Sequence, residues 1–279
     1  MRSRAATGTA LVFLVAMAGY FLIPVYWLFV AATKSTGELA STPGLWFGHL
    51  DLVANLRALF ARDGGVYLRW VGNSLLYAGA GAAVGTLLAA MAGYALSMWD
   101  FRGREVVFSV ILGGVLVPAT ALALPLFLLF ARVGLTNTFW AVFLPSVVSP
   151  FGVYLSRIYT DASVPTDLVE AARIDGAGEY RIFLTVVARL MSPALVTIFL
   201  FQFVAVWNNF FLPLIMLQDQ RLYPVTLGLW AWNSTASHDA SLQTLSIVGS
   251  FVSIVPLVVA FLALQRYWRT GLATGAVKT

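Results

Sequence analysis

The sequence predicts an all-α integral membrane protein with six transmembrane helices and both termini cytoplasmic, and three observations predict it. The 279-residue chain is 60% hydrophobic and only 10% charged, with mean hydropathy +0.85, more apolar side chain than a soluble domain of this size accommodates. The apolar residues fall into continuous runs of about 20, the length that crosses a bilayer as a helix and roughly twice that of a barrel strand. The basic residues divide unevenly between alternate connecting segments, which sets orientation.

The first span runs over about residues 10–32. Arg2 and Arg4 precede it, but it exceeds the roughly 7–15 residues of a cleavable signal core. Pro24, Tyr26 and Trp27 stand near its far end as an interfacial anchor would, so it reads as a retained helix. Residues 34–70 follow, with Pro43, Trp46, Phe47 and Trp70, part of which suits the membrane surface. The second span, about 73–97, carries Gly81 and Gly85 at the small-xxx-small spacing of close helix packing. The remaining spans cover about 106–130, 137–157, 192–217 and 243–265, and the six form a single transmembrane domain over 1–279. No span core holds Asp, Glu, Lys or Arg. With the N-terminus inside, the inner segments hold eleven basic residues, from Arg2 to Lys278, and the outer segments six. Four of those six lie in the long 34–70 segment, and long loops weigh less in this rule.

Composition also excludes. The net charge of +5 belongs to cytoplasmic loops rather than to a nucleic-acid surface. No cysteine is present, so disulfides, thiolate chemistry and Cys-based metal sites are ruled out. The two histidines, His49 and His238, both fall in outer loops and form no metal-spaced pair; no metal site or catalytic set is expected. Span cores without ionisable residues argue against an ion-driven carrier. The phosphate-binding pattern G-x-x-x-x-G-K-[ST] is missing, so any ATP chemistry belongs to a partner. Composition alone leaves a channel open.

One segment departs from its surroundings. Of the fourteen residues in "EAARIDGAGEYRIF", 170–183, five are charged. Pro165 suits a first helical turn, and Gly176 offers the left-handed position that ends a helix. A second helix from about Gly178 would align Tyr180, Phe183, Leu184 and Val187 as an apolar stripe, with Glu179 and Arg181 off it. The expected element is a cytoplasmic helix-turn-helix within 161–190. It docks on a protein or, alternatively, rests on lipid headgroups; the acidic residues and the Asp-Gly turn favour the protein.

These residues resemble the EAA loop of permeases from binding-protein-dependent ABC importers, through Glu170, Ala171, Ala172 and Gly176. The usual proline at the end of that motif is Arg189 here, with Pro193 shortly after. "NSLLYAGAGA" from residue 73, "AGYALSMWDFRGR" from 92 and "WNNFFLPLIML" from 207 resemble the carbohydrate branch, and the tail "GLATGAVKT" is similar to that of the maltose-type second permease subunit. The resemblance implies one half of a pore in the cell's cytoplasmic (inner) membrane. Its partners would be a second homologous permease, two cytoplasmic ATPases, an extracytoplasmic solute-binding protein and membrane lipid, with no nucleic acid. It implies no cofactor in this chain, since ATP and Mg²⁺ would sit on the ATPases, and no enzymatic activity of its own. Glu170, Ala171, Ala172, Asp175 and Gly176 would contact an ATPase. The tail, with Gly271, Gly275 and Lys278, would reach the ATPase pair, and residues 233–241 the binding protein. Trp207, Asn208 and Asn209 are pore candidates, because aromatic faces suit sugar rings and buried amides need partners; interhelical packing is their other reading. A sugar or sugar derivative is the expected cargo, with a polyol-type solute such as glycerol 3-phosphate as the alternative.

Overall fold

The computed structural model describes residues 4–275, and helices without any strand make up its regular structure. In chain order they are α1 (Arg4–Ala32), α2 (Thr36–Ser41), α3 (Leu52–Ala61), α4 (Val66–Met98), α5 (Arg104–Leu116), α6 (Ala119–Arg132), α7 (Phe139–Ser146), α8 (Pro150–Ser163), α9 (Thr166–Ile174), α10 (Glu179–Ile182), α11 (Ala188–Leu190), α12 (Ser192–Trp207), α13 (Phe211–Met216), α14 (Val225–Ser234) and α15 (Ser241–Gly275).

Four stretches are long and apolar enough to cross a membrane without a sharp bend: Gly8–Ala32, Val66–Met98, Phe139–Ser163, which joins α7 and α8, and Ser241–Gln265. Two further ones, Arg104–Leu116 with Ala119–Arg132 and Glu179–Leu190 with Ser192–Trp207, pass only as bent pairs; the expected span over 106–130 is bent within itself, and the one over 192–217 is interrupted after Trp207, where α12 ends. Between α5 and α6 the chain turns by 103°. Pro118 has no N–H to continue the ladder, and its ring pushes Val117 out of the helical region to φ −79°, ψ 119°. The turn between the 179–190 helices and α12 is 85°, with Pro193 in the first turn of α12. The second span begins at Val66, several residues earlier than expected.

By contacts the chain divides into two compact units, one comprising Met1–Leu68 with Gly228–Val255 and the other Arg69–Leu227 with Pro256–Thr279. In the first, the end of α1 is closed by Asn55, whose amide donates to the carbonyls of Ala32 (3.0 Å) and Lys34 (2.9 Å). Lys34 is buried, its Nζ donating to the Pro43 carbonyl at 2.7 Å. Gly249 allows α15 to come close: a Cβ there would lie 2.5 Å from Leu229 and 3.0 Å from the Tyr67 ring. The Tyr67 hydroxyl donates to the Gly249 carbonyl at 2.8 Å.

The second unit is organised on α4. Gly81, Gly85, Ala89 and Gly93 recur every four residues and so line one face. Ser146 lies against Gly81, Gln202 against Gly85, Gly152 against Ala89 and Ser156 against Gly93. The small-residue spacing is therefore a seat for α7, α8 and α12.

Candidate functional site

The segment 166–190 is built upward from its turn. After α9 the N–H of Ala177 donates to the Ala172 carbonyl and that of Gly176 to Arg173, both at 3.0 Å. This paired pattern closes a helix when the intervening residue is left-handed, and Gly176 has φ +79°. The chain then re-enters a helix at Glu179. Glu170, Ala171, Asp175 and Gly176 are exposed, and Ala172 is half-buried at the edge of the core beneath. That core gathers Val164, Val169, Ile182, Phe183, Val187 and Met191 around Ala90 and Tyr94 of α4.

The stripe expected on the second helix is corrected here. Phe183 and Val187 are buried as expected, but Tyr180 is 76% and Leu184 61% exposed. Residues Phe183–Val187 form a π-helical turn, whose wider i→i+5 spacing changes which residues face inward. Ile182 and Met191 take the places assigned to Tyr180 and Leu184. With Ile174, 87% exposed, Tyr180 and Leu184 leave apolar side chains in solvent reach beside the acids.

Glu179, expected off the apolar stripe, is the polar centre of the element. Its Oε1 accepts from Arg173 Nε at 2.7 Å and its Oε2 from the Tyr94 hydroxyl at 2.9 Å. One carboxylate thus ties α9 and α10 to the end of α4. The Arg173 bond, aided by that of Tyr94, holds its carboxyl below the usual range against partial desolvation. Nearby, Arg157 of α8 forms an ion pair with Glu105 at 2.6 Å and lies 4.1 Å above the Phe108 ring.

At the other end of α4, Trp70, Asn73, Ser74 and Tyr77 occupy positions i, i+3, i+4 and i+7, one helical face. Each engages backbone of 220–225. The Trp70 indole donates to the Gln220 carbonyl at 2.9 Å, and the Asn73 amide to Arg221 (2.8 Å) and Tyr223 (2.9 Å). The Tyr77 hydroxyl donates to Leu222 at 3.1 Å, and Ser74 Oγ accepts from the Val225 N–H at 2.8 Å. Asn137, itself at φ +55°, accepts from the N–H groups of Gln218 and Asp219 at 2.8 Å. The four side chains on α4 show in the sequence as hydrogen-bonding residues at helical spacing; their target does not.

The pore candidates lie just before this clamp, where α12 breaks into α13. Trp207 is buried, its ring stacked on Phe203 with centroids 5.9 Å apart. Asn208 is exposed, its amide donating to the Val204 carbonyl. Asn209 is half-buried, and its carbonyl accepts from Thr226 Oγ1 at 3.0 Å. Gln202, one turn or so earlier, is a buried amide not singled out from the sequence; its Nε2 donates to the Ser146 carbonyl at 2.8 Å. The signal was a lone amide in an apolar run. Gly271 and Gly275 fall in the backbone of α15, and Lys278 lies outside the described residues.

Comparison with known proteins gives a consistent picture. Residues 85–272 match the family described as binding-protein-dependent transport system inner membrane component. The chain is 36% identical over 216 residues to the arabinooligosaccharides transport system permease protein AraQ of Halalkalibacterium halodurans, covering 77% of this chain and 76% of that one. It is 33% identical over 263 residues to AraQ of Bacillus subtilis (92% and 91%) and 32% over 257 to the lactose transport system permease protein LacG of Rhizobium radiobacter (92% and 91%). A crystal structure of a bacterial ABC transporter involved in the import of the polysaccharide alginate shares the fold, with TM-score 0.79 at 23% identity over 96% of this chain and 99% of that one.

Proposed function

Because the chain belongs to the binding-protein-dependent transport system inner membrane component family, we propose that it is a permease subunit of an ATP-driven importer for a sugar or sugar derivative. In this reading it contributes half of a translocation pore, beside a second homologous permease, two cytoplasmic ATPases and an extracytoplasmic solute-binding protein. Both termini and the 166–190 loop face the cytoplasm, and six membrane crossings follow when the bent pair Arg104–Leu116 with Ala119–Arg132 counts as one and α12 with α13 as another.

The observation that carries the reading is the loop. Glu170, Asp175 and Gly176 lie exposed at its turn beside apolar Ile174 and Tyr180. Mixed apolar and acidic exposure fits a protein groove better than an anionic leaflet. ATP-driven closure of the ATPases displaces the loop, and the pore exchanges an inward-open for an outward-open state. The tail, with Gly271, Gly275 and Lys278, reaches the ATPase pair, and residues 233–241 face the binding protein. Asn208 and Asn209 offer amides to a sugar hydroxyl, while Trp207 packs behind them. Oligosaccharide permeases among the relatives favour a sugar. A permease named for uptake of osmoprotective compounds, from Synechocystis and 31% identical, keeps a smaller polyol-type solute as the second reading.

Gly176→Val and Glu170→Lys test the loop. A Cβ at Gly176 meets nothing within 4 Å, so valine there acts through backbone strain of about 1–2 kcal/mol or more. Both variants should insert at parental abundance by immunoblot, yet lose co-purifying ATPases or ATP-driven uptake. Retained ATPases and parental uptake in both would remove the coupling role and leave the lipid-surface alternative.

A further inference from the structure

The loop has to do more than bind: a displacement of it must reach the membrane helices. Two kinds of contact join it to α4. The apolar one, among Val169, Ile182, Phe183, Val187, Ala90 and Tyr94, is non-directional and tolerates sliding. The polar one is directional. Glu179 of α10 accepts from Arg173 of α9 and from Tyr94 of α4, and hydrogen bonds to a carboxylate are short and geometrically specific. A carboxylate held from both loop helices and from α4 fixes the register that the apolar contact leaves free.

What lies beyond Tyr94 suits transmission. α4 is one helix of 33 residues with no internal proline, about 50 Å long. Its far end holds residues 220–225 through Trp70, Asn73, Ser74 and Tyr77. That clamped segment follows directly on the broken helix carrying Asn208 and Asn209.

We propose that Glu179, held by Tyr94 and Arg173, is a positioning residue for transport: it pins the 166–182 loop to α4, so that displacement of the loop moves α4 as a rod and with it the 220–225 segment. This rests on the reading of the loop as the ATPase contact. Tyr94 and Arg173 act through Glu179, and none of the three need touch the cargo.

The chain has no cysteine, so single spin labels attached at Thr185→Cys on the loop and at Gln218→Cys, two residues before the clamped segment, report each end separately. They are read in the assembled complex, with cysteine-free partner subunits, without nucleotide and after trapping with ATP and vanadate. In the parental complex both labels should change their spectra on trapping. In Tyr94→Phe, which keeps the ring in the core, and in Glu179→Gln, the ATPases should stay bound and the loop label should still respond. The response at Gln218→Cys should fall about three- to tenfold, the scale of losing one hydrogen bond to a partly screened charged group. The double variant should lose no more than either single one. A full response at Gln218→Cys in both single variants, additive losses, or no parental response there would overturn the proposal. No parental response at Thr185→Cys would instead overturn the coupling reading, and the proposal with it.

Discussion

Single side chains close loops in this protein, and Glu38 is a case where the chemistry yields a sign. Its Oε2 accepts from the N–H and hydroxyl of Ser35, both at 3.1 Å, and its Oε1 from the His49 N–H at 2.8 Å. The His49 amide, then that of Ser35, lowers its pKa below 4.5, with desolvation opposing. A depressed carboxylate stabilises the fold above its unfolded value, and that contribution is lost as pH falls through the lower folded value. We expect the amides of Ser35 and His49 to be protected at neutral pH, relative to the base-catalysed intrinsic rate at each pH, and to lose that protection only when the protein is acidified below about 4.5, the ordinary carboxylate range. Glu38→Ala should lack that protection at both pH values. Equal protection in the two proteins at neutral pH would show that the loop is closed by other contacts.

At the scale of the element, the stripe on α4 makes unequal demands at its glycines. A Cβ at Gly85 would collide with the amide of Gln202, a side chain that can turn aside only by giving up its buried bond to the Ser146 carbonyl. A Cβ at Gly93 would meet Ser156 Cβ at 2.5 Å and the Arg157 backbone nitrogen at 2.7 Å, neither of which can move without α8. Alanine also favours the helix over glycine by about 1 kcal/mol. Gly85→Ala should therefore cost about 1 kcal/mol, the displaced Gln202 bond being partly offset by helix propensity, while Gly93→Ala should cost about 1–3 kcal/mol of overpacking and lower the melting temperature in detergent more. Equal effects would mean that α8 yields as readily as an amide side chain. The four-residue spacing was legible in the sequence because helical period fixes which residues share a face. Its partners were not, since nothing local in the chain says that Gln202 or Ser156 will arrive there. The same limit explains the loop. Gly176 was readable because a turn needs a left-handed residue, whereas the π-helical turn at Phe183–Val187 moved the buried face without a composition signal. Glu179 was placed off the apolar stripe, but nothing local says that Arg173 and Tyr94 will meet it there. The bend at Pro118 was readable in principle, but an unbroken apolar run masked it.

For the whole molecule, hydropathy places the helices in a membrane, and charge decides which way they point. The first helix has the least ambiguous setting: apart from its last turn, where Val30, Ala31 and Ala32 are buried, its apolar side chains are left uncovered by the rest of the chain, so they suit lipid or a partner's helix rather than a water-soluble surface. Two bent pairs make the number of crossings depend on where each bend sits, and an odd number would put the termini on opposite sides. With the proposed six crossings and both termini inside, Lys and Arg divide eleven to six in favour of the inner side, the sense that the rule requires. Lys34, counted among the outer six, is buried and bonded to Pro43, so its charge weighs less in that rule and the asymmetry deepens. A phosphatase reporter, active only outside the cytoplasm, should therefore be silent when fused after Thr279 and active when inserted between residues 233 and 241. A fluorescent reporter that matures only in the cytoplasm should give the reverse pattern. Two fusions on the same side would mean that the Ser241–Gln265 helix does not cross. Reversed signals would put the 166–190 loop outside, out of reach of any ATPase, and the proposed mechanism would fail at its first step.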